Sequence, residues 1–64
     1  MMSKAPAKAV RALAADPEFA RYVQSVSAGL GKTQIQRLVA DMARAQGVNV
    51  DAMQAFEIMG ALGV

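Results

Sequence analysis

A chain of 64 residues with neither cysteine nor histidine must fold without disulfides and without thiolate or imidazole zinc ligation. It is 55% hydrophobic, but 14 of those residues are alanine and only three are aromatic, so little bulky material remains for a core; such small folds lean on tight helix packing, on a partner, or on both. The net charge is +2, with all seven basic residues and three of the five acids before residue 45, leaving +4 over residues 1–44 and −2 over residues 45–64.

Periodicity and punctuation predict four short helices and no strand. The first is expected over residues 6–15, just after Ser3 or Lys4, with Val10, Leu13 and Ala14 as a thin apolar stripe. Its alanines give it high helical propensity, but a helix so short must dock or fray. Lys4, Lys8 and Arg11 recur at helical spacing on another side.

Asp16-Pro17-Glu18 marks the next boundary. Asp16 suits the N-cap, Pro17 the first helical position, and Glu18 complements the helix dipole. Phe19, Tyr22, Val23, Val26 and Leu30 then follow at amphipathic spacing, and Gly29 and Gly31 are expected to end the helix.

Thr33 with Gln36 has the spacing of a capping box and predicts the start of the third helix. Ile35, Leu38, Val39 and Met42 form its expected buried stripe, Arg37, Asp41 and Arg44 its outer face, and Gly47 its end. Asn49 or Asp51 would cap the fourth helix, expected over residues 50–62. Only Asp51, Gln54 and Glu57 make this helix polar; Val50, Ala52, Met53, Ala55, Phe56, Ile58, Met59 and Leu62 cover the rest. A helix apolar almost all round is normally buried on most sides, and three short neighbours cannot shelter it completely.

Two segments invite a chemical reading. Gly29-Leu30-Gly31-Lys32-Thr33 looks like the end of a Walker-type phosphate loop, but Val26 stands where the first glycine is required, and helix rather than strand precedes it. The expected role is a helix–helix turn. The residues Met42, Ala43, Gly47, Val48, Met53 and Phe56 are spaced so that a small residue and a turn glycine bring two helices together. This skeleton resembles the helix-turn-helix family of DNA-binding units over residues 39–56. The resemblance implies that Asn49, Val50, Asp51, Gln54 and Ala55 face the major groove, with Gln54 reading adenine and Asn49 approaching a phosphate. Asp51 and Glu57 would repel phosphates, however, and no Lys or Arg follows Arg44.

The fold expected is all-α, a compact bundle of three or four short helices forming one small domain over residues 1–64. Its geometry over 39–56 would be helix-turn-helix-like, and its N-terminus frayed at residues 1–5. Without histidine or cysteine the commonest general base and thiol nucleophile are absent, so a non-enzymatic role is expected, with no metal, no cofactor and no small-molecule substrate. No targeting signal or spanning segment is evident, which points to a cytoplasmic protein. The excess apolar surface of the fourth helix suggests a protein-binding or self-assembling accessory module that docks through this helix and the C-terminal Gly60-Ala61-Leu62-Gly63-Val64 tail. Met53, Phe56, Ile58, Met59 and Leu62 are its expected anchors, with Asp51, Gln54 and Glu57 as the rim. The alternative is a small helix-turn-helix DNA-binding regulator, with nucleic-acid contact through Lys4, Lys8, Arg11, Asn49 and Gln54.

Overall fold

The computed structural model describes residues 4–64, and among them four helices account for all regular structure. Helix α1 spans Ala7–Ala14, α2 Pro17–Val26, α3 Lys32–Ala45 and α4 Ala52–Leu62. Helix α4 packs against both α3 and α1, and α1 packs against α2, so the last helix is the hub of an all-α bundle. One cluster of buried side chains joins all four helices.

Local chemistry explains most boundaries. The Asp16 carboxylate accepts from the backbone N–H groups of Glu18 and Phe19 at 2.9 and 3.4 Å, and Pro17 follows where its missing N–H costs nothing. Helix α3 ends in a Schellman turn. The Val48 N–H reaches back to the Ala43 carbonyl and the Gly47 N–H to that of Arg44, with Gly47 left-handed at φ +81°. Helix α4 closes in the same way, Val64 bonding to Met59 and Gly63 to Gly60 with Gly63 at φ +75°.

The start of α3 differs from expectation. The Gly31 N–H donates to Gln34 Oε1 at 3.0 Å, a one-sided cap because glycine has no side chain to return the bond, and Thr33 lies inside the helix. Gly31 therefore opens α3 rather than closing α2. Gln36, released from capping, sends its Nε2 to the Ala52 carbonyl at 2.6 Å and ties α3 to the start of α4.

The core is narrower on α2 than the sequence suggests. Phe19 and Val23 are buried, but Tyr22 is exposed, because α2 packs less extensively against its neighbours than the other helices do, and Leu30, also exposed, lies beyond the helix in the connection to α3. On α3 the buried line is Ile35, Val39, Ala40 and Ala43, with Leu38 and Met42 only half-buried at its edges. Ala43 and Ala55 are completely enclosed, so the two helices that pack most extensively each present a methyl group where bulk would hold them apart.

The N-terminal segment also departs from expectation. Ser3, one proposed start signal, lies outside the described residues, and Pro6 occupies the cap position of α1 without a side-chain hydrogen bond. Ala5, expected to be frayed, is buried. Its N–H donates to the Asn49 carbonyl at 2.6 Å and its carbonyl accepts from Gln54 Nε2 at 2.7 Å. Among the described residues no helix is long and apolar enough to cross a membrane.

Candidate docking surface

Helix α4 begins at Asp51, whose carboxylate accepts from the Gln54 N–H at 2.8 Å while Gln54 Oε1 accepts from the Asp51 N–H at 3.1 Å. This reciprocal capping box fixes the rotation of the first turn. From there Gln54, Ala55, Ile58, Met59 and Leu62 point inward at helical spacing. Ala52, Met53, Phe56, Glu57, Gly60 and Ala61 point outward.

That rotation divides the expected anchors. Ile58 and Met59 are each 1% exposed and Leu62 is buried, so these three belong to the core and not to an accessible contact surface. Met53 and Phe56 are 67% and 55% exposed, the two most exposed large apolar side chains among the described residues. They stand three residues apart, which makes them neighbours on one side of a helix. The expected rim divides as well. Asp51 and Glu57 are exposed, but Gln54 is buried, with both ends of its amide engaged inside the subunit.

The same rotation revises the helix-turn-helix resemblance. Its first half is realised in an enclosed Ala43 and a left-handed Gly47. In the second half Met53 and Phe56, which the skeleton assigns to a shared core, are exposed. The connection runs from Gln46 to Asp51, longer than the roughly three or four residues of such units. Of the residues expected to face bases, Val50, Gln54 and Ala55 are all buried. Asn49 is half-buried.

Beside the exposed face lies an open groove of about 570 Å³ between α4 and the start of α1. Met53 and Glu57 line one wall, and Lys4, Pro6 and Arg11 the other. Lys8, though exposed, lies outside this groove. Among the described residues the sole ion pair within 4 Å joins Arg44 to Asp41 at 3.0 Å, so Lys4, Arg11 and Glu57 enter the groove without a salt bridge. No group of three or more acidic side chains among the described residues could hold a metal ion.

Gly60, part of the C-terminal 60–64 tail expected to dock together with the fourth helix, is exposed on this face. The chain matches no protein-family model, and no curated protein or solved structure shows significant similarity to it.

Proposed function

We propose that this chain is a small cytoplasmic, non-enzymatic docking module whose contact surface is the outer face of α4, anchored by Met53 and Phe56. One observation carries the reading: the two large apolar side chains most exposed to water are neighbours on the same helical face. Exposed apolar residues scattered singly are ordinary, whereas adjacent ones form a patch whose removal from water favours association. Met53 adds adaptability and Phe56 a rigid ring, with Glu57 and Asp51 as the surrounding polar edge. The DNA-reading alternative has less support, because the Gln54 amide that would meet adenine is committed inside the fold.

The test is a photo-crosslinking phenylalanine analogue at position 56, activated inside the native cell. Discrete covalent adducts are expected at position 56 and none with the same analogue at Ala28, an exposed residue of another segment. Adducts absent at 56, or identical at both positions, would remove the docking reading.

A further inference from the structure

We infer that the groove beside Met53 receives an acidic segment of another protein, one in which an apolar side chain is flanked by carboxylates; this rests on the docking reading above. The first observation is charge. Lys4 and Arg11 line the groove from the α1 side, and Glu57 alone opposes them from α4. None of the three is in a salt bridge. Asp51, which caps α4, does not line the groove, and its carboxylate is engaged by the Gln54 N–H. The excess is therefore positive. The segment that supplies it has no acid of its own, since residues 4–15 include Lys4, Lys8 and Arg11 and no Asp or Glu. Two carboxylates on the occupant would satisfy Lys4 and Arg11, the arginine through paired N–H bonds. A backbone N–H or a hydroxyl of the same segment would answer Glu57.

The second observation is shape. The groove is a recess of about 570 Å³ with Pro6, Val10 and Met53 set among its charged residues. An apolar side chain can leave water there while flanking carboxylates stay at the rim. Other occupants match only one of these two properties. A bilayer presents a broad surface that leaves a recess empty. The phosphates of a nucleic acid carry no apolar group to fill it, and they approach Glu57 with its own sign. A second copy that brought its own groove to this one would double the positive excess. An acidic peptide with an apolar centre matches charge and recess together.

The test selects phage-displayed random peptides on the immobilised full chain, then measures the enriched sequence as a labelled synthetic peptide by fluorescence anisotropy. Enriched sequences should carry net negative charge around an aromatic or aliphatic residue. Lys4→Gln and Arg11→Gln should each weaken that peptide about two- to fivefold, the range of exposed ion pairs, and Glu57→Gln should tighten it. Lys8→Gln removes the same charge outside the groove and should change the affinity little. Neutral or basic enriched sequences, no enrichment at all, or a Lys8→Gln loss equal to that of Arg11→Gln overturns the inference. Displacement of the peptide by duplex DNA or by phosphatidylserine vesicles also overturns it, since phosphate would then be the better occupant. Discrete adducts at position 56 in a chain that selects no acidic peptide would strike this occupant and leave the docking surface standing.

Discussion

The side-chain amide of Gln54 donates to the carbonyl of Ala5 at 2.7 Å, a buried bond between residues 49 positions apart. The same amide's oxygen closes the capping box with the Asp51 N–H. One side chain therefore starts α4 and holds the segment that leads into α1. The Ala5 N–H completes the arrangement by donating to the Asn49 carbonyl.

Gln54→Ala should release that segment. It leaves the buried Ala5 carbonyl without its donor and α4 with half of its capping box, a loss of about 1–3 kcal/mol. At about 4–8 °C per kcal/mol for a domain of this size, the melting temperature should fall by at least several degrees. Amide hydrogen exchange at Ala5 should accelerate in parallel. Gln54→Met, which keeps the length but not the donor, should resemble alanine. Unchanged protection at Ala5 in either variant would mean that the segment is held by other contacts.

This clamp also shows where the sequence stops being informative. Asp16 before Pro17, and Asp51 before a helical run, announce their helices because capping is chemistry between residues two or three apart. Gly47 announces a helix end for the same reason. The Gln54–Ala5 bond has no local signature, since nothing near position 54 indicates a carbonyl 49 residues away. The sequence alone therefore marks Gln54 as a surface residue, whereas the fold makes it a buried strut. The excess apolar character of α4 was legible, and so was its consequence that some of it stays uncovered. Which residues stay uncovered depends on the rotation of the helix against α3 and α1, and composition does not contain that angle. With nearly every position apolar, periodicity could not choose Met53 and Phe56 over Ile58 and Met59. Thr33 with Gln36 has the spacing of a capping box, but α3 starts at Lys32, which puts Gln34 at the cap instead.

The division of α4 into a buried and an outward side predicts opposite responses to truncation. Ile58→Ala and Met59→Ala should each cost about 2–5 kcal/mol, because the enclosed side chain leaves a cavity as well as losing its transfer energy. Against the roughly 3–10 kcal/mol expected for 64 residues, either change should shift the urea midpoint far downward. Met53→Ala and Phe56→Ala should stay within about 0.5 kcal/mol of the parent. A Phe56→Ala midpoint as low as that of Ile58→Ala would place the ring in the core and erase the proposed surface.

The turn that aims α4 offers the last test. Gly47 sits at φ +81°, a conformation that costs a residue with a Cβ about 1–2 kcal/mol, while a Cβ there would meet nothing within 4 Å. The penalty of substitution is therefore one of backbone conformation and not of crowding. Asparagine tolerates the left-handed region better than alanine, so thermal melts should rank the parent above Gly47→Asn and Gly47→Ala last. Gly60→Ala, in ordinary helical backbone with equally open space, should raise the melting temperature instead. The contrast separates a glycine required by the turn from one the subunit does not need. If Gly47→Ala melted no lower than the parent, the Schellman closure of α3 would not be what sets the path of the chain into α4.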